Sequence, residues 1–240
     1  MSVRKIQVLG IVLVVVIIGA TGVYFVIPSL LYGPACGGGV YNAKTTAIGV
    51  DEIGQQLYNV TFTKNGVQES GLYYGFMSSA LSWIKAKTPP NAVFMTWWDY
   101  GKEIVGCTGR SSVISNPSSR FIALGFTKNV TERDPDAYLT DVGMALFTTN
   151  ATASQATAAR YDAGYLLITT EDGGEKAPYI LQYLGLKPGD YLTTNSTTFA
   201  ASNWTTLGQQ TLIYRLLDGE SVSWFTQVYS DTYVKIFSVS

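Results

Sequence analysis

The sequence predicts a mixed α/β (α+β) extracytoplasmic domain on a single N-terminal transmembrane helix. An uninterrupted apolar stretch stands at the N-terminus, and residues 71–240 alternate between helix-like and strand-like segments. Hydrophobic residues make up 47% of the 240, which is enough to build a core. The net charge of −1 gives no electrostatic basis for binding nucleic acid. The chain has no histidine, which excludes imidazole-dependent catalysis and His-ligated metal sites.

The N-terminal apolar stretch is long enough to cross a membrane. Residues 6–27 carry no charge, and about twenty helical residues span the roughly 30 Å hydrocarbon core. The alternative is a cleaved signal peptide, whose apolar region is about 7–15 residues and precedes a small-residue cleavage site. Length favours a retained anchor over residues 6–31. Arg4 and Lys5 precede it, so residues 1–5 are expected in the cytoplasm and the C-terminal domain outside the cell membrane.

Sequons and cysteines agree with an outer location. Five Asn-x-Ser/Thr sequons predict a glycoprotein with N-linked glycans on Asn59, Asn129, Asn150, Asn195 and Asn203. The two cysteines, Cys36 and Cys107, can pair as a disulfide in an oxidising exterior. The alternative is that both are buried thiols.

Composition divides the outer part into three segments. Residues 32–70 are predicted to be a tether and N-terminal extension, because a glycine-rich run at 33–39 is followed by polar residues with turn signals. Two short strands are expected there, around residues 58–63. Residues 71–190 are predicted to form a helical and α/β core, and residues 191–240 a β-rich C-terminal part.

Periodicity and breaker residues define the elements of the core. Apolar residues at helical spacing predict a helix over 71–87, which Pro89-Pro90 ends, and AVFMT predicts a buried strand over 92–96. Asp134-Pro135 signals the start of a helix that continues to about Phe147. A helix, a β-branched strand and a helix closed by glycine then follow, over residues 154–162, 165–170 and 176–184. The C-terminal tail predicts strands over residues 211–217, 223–230 and 232–239.

The string WWDYG follows the strand expected at 92–96. The indoles of Trp97 and Trp98 provide rigid walls and N–H donors, and Gly101 allows a sharp turn. Between them, the Asp99 carboxylate can accept a hydrogen bond from a hydroxyl. Such a niche would hold a Ser or Thr side chain and reject a residue without a hydroxyl. The alternative is that the two tryptophans are core aromatics and Asp99 caps the next turn.

The string resembles the WWDYG signature of the oligosaccharyltransferase catalytic subunit, the archaeal and eukaryotic enzyme of asparagine-linked glycosylation. The resemblance covers roughly residues 71–240, and it includes Arg110-Ser111-Ser112, Thr211–Leu217 and the closing strands. In that family the WWD residues bind the Ser or Thr of the acceptor sequon, which implies this role for Trp97, Trp98 and Asp99. The family's Asp-x-x-Lys-x-x-x-Met/Ile helix implies that Lys176 and Ile180 lie beside the pocket. The Asp position of that helix is Gly173 here, and Asp172 stands one residue away.

The catalytic half of the family has no counterpart in this chain. The resemblance places the catalytic carboxylates and the metal on a many-spanning membrane domain, and no Asp-x-Asp stands before residue 71. We therefore expect no catalytic residue, no metal and no cofactor. The implied function is a non-catalytic, membrane-anchored accessory protein of N-glycosylation that binds acceptor polypeptides or docks on the full enzyme. The alternative is a glycosylated structural subunit of another membrane or cell-surface complex. A complete transferase would need a metal site and a lipid-sugar site that the sequence does not show.

Overall fold

The structure, a computed structural model, describes residues 36, 40–50, 56–115, 137–193 and 198–240. All of them belong to one unit, Pro34–Ser240. The predicted anchor lies outside the described residues and stays a prediction. Within the described ranges, no helix combines the length and the apolar character needed to cross a bilayer. The mixed α and β content that the sequence predicts is confirmed.

The first sheet is an antiparallel meander built from the N-terminal extension. Its strands are β1 (Lys44–Val50), β2 (Gln56–Lys64) and β3 (Val67–Tyr74), in that order. Asn65 and Gly66 turn the chain between β2 and β3 with φ of 51° and 78°, and an Asn-Gly pair favours this hairpin turn. The helix expected from residue 71 is therefore wrong in its first turns. Residues up to Tyr74 pair with β2 as a strand.

The second sheet has five strands and organises the rest of the domain. Its strands are β4 (Val93–Met95), β5 (Ser111–Ser112), β6 (Tyr165–Thr169), β7 (Phe225–Ser230) and β8 (Val234–Val239). Their order in the sheet is β5-β4-β6-β8-β7, where β4 runs parallel to β5 and β6, and β8 runs antiparallel to β6 and β7. The strands predicted at 92–96, 165–170, 223–230 and 232–239 are therefore confirmed, with small shifts at their ends.

Both faces of this sheet are covered. On β6, Leu166 and Ile168 belong to one apolar cluster and Leu167 to the other, so the strand is buried on both sides and reads as a continuous apolar run. One face packs against the three-stranded sheet, the helix Ser78–Lys87 and the helical segment 98–108. The other face packs against the helices of residues 137–218. The helices are α1 (Ser78–Lys87), α2 (Gly101–Glu103), α3 (Ala137–Phe147), α4 (Ala151–Arg160), α5 (Thr170–Gly173), α6 (Ala177–Tyr183), α7 (Pro188–Tyr191), α8 (Thr206–Gln209) and α9 (Leu212–Asp218).

The strand predicted over residues 211–217 is wrong, because this segment is helix α9. Leu212, Ile213, Leu216 and Leu217 are all buried, so the segment is apolar on more than one side. Periodicity alone does not separate a strand from a helix in such a short apolar run. Gly219, at a φ of 88°, ends the helix in the left-handed conformation that glycine adopts readily.

A disulfide ties the start of the domain to its centre. Cys36 and Cys107 are bonded, with Cα atoms 4.4 Å apart, as the sequence predicts for an oxidising exterior. Cys107 lies buried in the π-helical turn Ile104–Thr108, a few residues beyond the WWDYG string. The bond therefore links the N-terminal part of the domain to the segment that carries the string.

Replacement of both cysteines by alanine is expected to lower the free energy of unfolding by roughly 2–4 kcal/mol, since the bond restrains the unfolded chain across a long loop. Urea unfolding of the full chain in detergent measures the loss. Reduction of the wild-type chain should reproduce it, whereas the substituted chain should not respond to the reductant. An unfolding midpoint that neither treatment moves would contradict a stabilising disulfide.

Candidate functional site

The candidate site lies where two parallel strands end. The carboxyl ends of β4 and β6 meet at the same edge of the sheet, a usual position for sites in such sheets. The 3-10 turn Trp98–Tyr100 follows β4, and α5 follows β6. Lys176 stands immediately before α6, at its N-cap position. This topology brings Asp99 and Lys176 together.

Lys176 is the centre of a compact cluster. Its Nζ lies 3.1 Å from Asp99 Oδ2 and 2.9 Å from Glu171 Oε2, and it donates a hydrogen bond to Tyr100 Oη at 2.7 Å. The same nitrogen stands 4.6 Å from the ring centroid of Tyr74 and 4.3 Å from that of Tyr100, within cation–π range. The side chains of Lys176 and Asp99 are each 13% exposed. We call these five residues the Lys176 cluster.

Two further residues fix the frame of the Lys176 cluster. Thr169 Oγ1 lies 2.8 Å from Tyr100 Oη and accepts a hydrogen bond from the backbone N–H of Asp172. In return, the backbone N–H of Thr169 donates to Asp172 Oδ2 at 2.9 Å. This reciprocal capping box starts α5 directly after β6. The side chain of Asp172, which stands one residue from the family's Asp position, therefore accepts a backbone hydrogen bond and is fully buried.

Burial raises the pKa of two acidic groups near Lys176, Asp172 and Glu103. Burial raises the pKa of Asp172 to about 7, although Lys176 and the hydrogen bond from Thr169 oppose the shift. Burial also raises the pKa of Glu103 well above its usual value, against a hydrogen bond from the Tyr74 N–H. For Lys176 itself, burial lowers the pKa, but the negative charges led by Asp99 outweigh burial, and its pKa lies well above the ordinary value. Lys176 therefore keeps its charge.

The five predicted pocket residues differ in accessibility. Trp98, Asp99 and Lys176 are partly exposed, whereas Trp97 and Ile180 are 1% and 0% exposed. Trp97 packs edge-on against Tyr183 in the same apolar cluster that contains Ile180. The alternative that Trp97 is a core aromatic therefore describes its position. Trp97 and Ile180 lie beneath the surface on which Asp99 and Lys176 meet.

Sequence reasoning missed several members of the Lys176 cluster. Tyr100 belongs to the WWDYG string, but no role was predicted for it. The pattern Thr169-x-x-Asp172 after a strand was a recognisable helix-start signal. No sequence signal pointed to Tyr74, because β3 reaches the cluster only through the fold.

Of the predicted sequons, Asn59, Asn150 and Asn203 are described, and Asn129 and Asn195 lie outside the described residues. In the described part of the chain, no group of three or more His, Cys, Asp or Glu residues is arranged to hold a metal ion.

Solved structures resemble this domain, whereas no protein-family model and no curated protein sequence matches the chain. The C-terminal globular domain of an oligosaccharyltransferase from Archaeoglobus fulgidus matches at 18% identity with a TM-score of 0.49, over 68% of this chain and 95% of that chain. The archaeal oligosaccharyltransferase from the same organism, in complex with an inhibitory peptide and a dolichol-phosphate, matches at 16% identity and a TM-score of 0.46.

A third match is the Archaeoglobus fulgidus oligosaccharyltransferase tethered to an acceptor peptide that contains the NVT sequon, at 15% identity and a TM-score of 0.46. The matches to the two peptide-bound enzymes cover 64% of this chain and only 22% and 23% of theirs. The chain thus spans less than a quarter of those enzymes. The neighbours belong to the family that the WWDYG string resembles, and at these identities the likeness concerns the fold alone.

Asp172→Asn is expected to flatten the pH dependence of stability. The folded chain holds the Asp172 proton between pH about 4 and 7 while the unfolded chain has lost it, so the free energy of unfolding falls as pH rises through this window. The fall should be smaller in the variant by roughly 2–3 kcal/mol, since one pKa unit is worth about 1.4 kcal/mol. Urea unfolding at pH 4.5 and 7.5 measures it. Glu103 contributes equally to both chains, so identical slopes would refute the assignment to Asp172.

Lys176→Met should destabilise the fold by about 3–5 kcal/mol, because it leaves two carboxylates unpaired in a mostly buried site. Lys102→Met is the matched control. Among the described residues Lys102 pairs with one carboxylate, that of Glu69 at 3.0 Å, and the two side chains are 16% and 28% exposed. Solvent screens this pair more strongly, so the control should lose about 1 kcal/mol. Thermal and urea unfolding of both variants test the difference. Equal losses would show that Lys176 does not hold the cluster together.

Proposed function

We propose that this chain is a membrane-anchored, non-catalytic oligosaccharyltransferase-like protein of the N-glycosylation system. Its outward-facing domain binds acceptor polypeptides at the surface formed by Trp98, Asp99 and Lys176. The observation that carries the proposal is the 3.1 Å ion pair between Asp99 and Lys176. The WWDYG string and the Lys-x-x-x-Ile pattern are far apart in the sequence, yet their polar members meet at one partly exposed place.

Asp99 is the group that would recognise a hydroxyl. A carboxylate accepts up to about four hydrogen bonds, so one oxygen paired with Lys176 leaves capacity for a Ser or Thr O–H that donates to Asp99. The half-buried Trp98 precedes it in the same turn and packs against the apolar cluster that contains the buried ring of Trp97. A site of this kind discriminates against alanine at the same peptide position, because the partly desolvated carboxylate would lose its partner.

Lys176 would hold Asp99 in place at this surface. Tyr100 and Glu171 bind the ammonium group from the inner side, and the Tyr74 ring faces it as well. A charge restrained from several directions loses little conformational freedom when a ligand arrives, so the carboxylate is preorganised. The family resemblance and this restraint together favour retention of acceptor binding in a chain without a predicted catalytic half.

Burial of two predicted contact residues favours a second candidate function. Trp97 and Ile180 are 1% and 0% exposed, so much of the string serves the core, as it would in a purely structural subunit. In that case the protein is a glycosylated component of another membrane or cell-surface complex. Affinity purification of the full chain from its native membrane separates the candidates. Recovery of a full-length oligosaccharyltransferase supports the first, and recovery of an unrelated complex without it supports the second.

The full chain in detergent micelles is expected to bind an Asn-x-Thr peptide at least about tenfold more tightly than the matched Asn-x-Ala peptide, since one hydrogen bond to a charged group is worth about 1.5–3 kcal/mol. Asp99→Asn should abolish this preference. Asp141→Asn is the control, because Asp141 pairs with Arg160 on α4, away from the Lys176 cluster. Fluorescence anisotropy with labelled peptides measures both affinities. Equal affinities of the wild-type chain for the two peptides would exclude hydroxyl recognition.

A further inference from the structure

The three described sequons differ in how exposed their asparagine side chains are. Asn59 lies in the central strand β2 and pairs with Thr46 on one side and Leu72 on the other. In the Asn203 sequon, Thr205 Oγ1 donates to the carbonyl of Asp190 at 2.7 Å and accepts from the N–H of Gly208 at 3.1 Å. Both sequons are therefore built into hydrogen-bonded structure, and both asparagines are half-buried.

Asn150 also takes part in hydrogen bonds, but it differs from the other two in exposure. It is exposed on the connection between α3 and α4, where it is the N-cap of α4. Its Oδ1 accepts hydrogen bonds from the backbone N–H groups of Thr152 and Ala153, at 3.0 and 3.4 Å. Because the amide oxygen faces the helix, the planar side chain directs Nδ2 away from it. The nitrogen that a glycan would occupy is thus free of the capping role, which belongs to the oxygen.

Trp224 lies beside this sequon in an unfavourable conformation. Its φ of 74° is in the left-handed region, which costs a non-glycine residue roughly 1–2 kcal/mol. Its side chain is 45% exposed, so burial returns only part of that energy. The indole Nε1 donates to Thr152 Oγ1 at 3.4 Å, which fixes the edge of the ring on the third residue of the sequon. A large aromatic held at a strained, exposed position favours contact with something outside the polypeptide.

We propose that Asn150 carries an N-linked oligosaccharide and that the exposed face of Trp224 binds its first sugar. The apolar C–H face of a pyranose packs well on an indole, and Thr152 orients that indole beside the linkage. The donor is a polyprenyl-phosphate-linked oligosaccharide. Asn150 Nδ2 bonds to the anomeric carbon and loses one proton, and the bond from that carbon to the phosphate oxygen breaks. The lipid phosphate leaves with the electron pair of that bond and, in the overall balance, takes up the proton. The inference is independent of peptide binding at Asp99 and requires only the proposed outward orientation.

Occupancy is tested on the full chain purified from a host that performs N-glycosylation. Glycopeptide mass spectrometry should find the glycan on Asn150 in most molecules, at least threefold above the occupancy of Asn59 or Asn203. Asn150→Asp is the matched control, because aspartate keeps the N-cap but has no amide nitrogen. It should abolish the modification. An unmodified Asn150 in the wild-type chain, whether or not another sequon is occupied, would overturn the proposal.

Contact with Trp224 is tested by a cycle of thermal unfolding. Loss of the glycan in Asn150→Asp should lower Tm by about 2–4 °C in the Trp224 chain and by less than half as much in Trp224→Gly. Glycine suits the left-handed backbone, so this variant should fold. Trp224→Tyr should restore part of the glycan-dependent difference, since it restores an aromatic face. The same Tm difference in all three backgrounds would show that Trp224 does not bind the sugar.

Discussion

The site depends on one constraint, which is that the Lys176 ammonium must be paired where little water reaches it. A charge in such a place is tolerated only when opposite charges and hydrogen bonds surround it. Asp99 and Tyr100 lie in the turn that follows β4, and Glu171 lies in α5, which follows β6. No single element supplies these groups. The parallel alignment of β4 and β6 brings these groups to one edge of the sheet. Loss of that alignment would leave several buried charges without partners.

Coverage of the five-stranded sheet on both faces helps to keep water away from this ammonium group. Residues of β6 point alternately into two apolar clusters, so the end of the strand is screened from solvent on either side. Thr169, the last residue of β6, is itself fully buried and bonds both Tyr100 and the backbone of α5. In the capping box at this position, the Asp172 side chain accepts a hydrogen bond from the backbone N–H of Thr169. Packing and charge therefore act at the same residues, and the frame of the site is part of the core.

The sequence could predict the elements better than the site. Runs with strong breakers or β-branched bias, such as the strand at 165–170, identify their own element. The segment 211–217 is apolar on more than one side, so its pattern fits a strand as well as the helix that it forms. Asp99 and Lys176 were brought together only by the family resemblance. Tyr100 and Lys176 are 76 residues apart, and no local pattern connects them. The contact between the Tyr74 ring and Lys176 could not be predicted, because it depends on how β3 pairs in the first sheet and no local pattern links the two residues.

Tyr74 also shows that the N-terminal extension supports the site, because the strand that ends at Tyr74 pairs with β2 of that extension. Its ring faces the Lys176 ammonium, and its backbone N–H donates to the buried Glu103 at 3.2 Å. Glu103 stands in the segment that begins with the WWDYG string, and the Cys36–Cys107 disulfide ties the chain before β1 to the end of that segment. The meander is thus attached to the site at both of its ends. A domain cut at residue 71 would keep the string and Tyr74 but would lose β1 and β2, and with them the strand pairing that holds the Tyr74 ring over Lys176. The folded frame of the site therefore begins before the first residue that resembles the family.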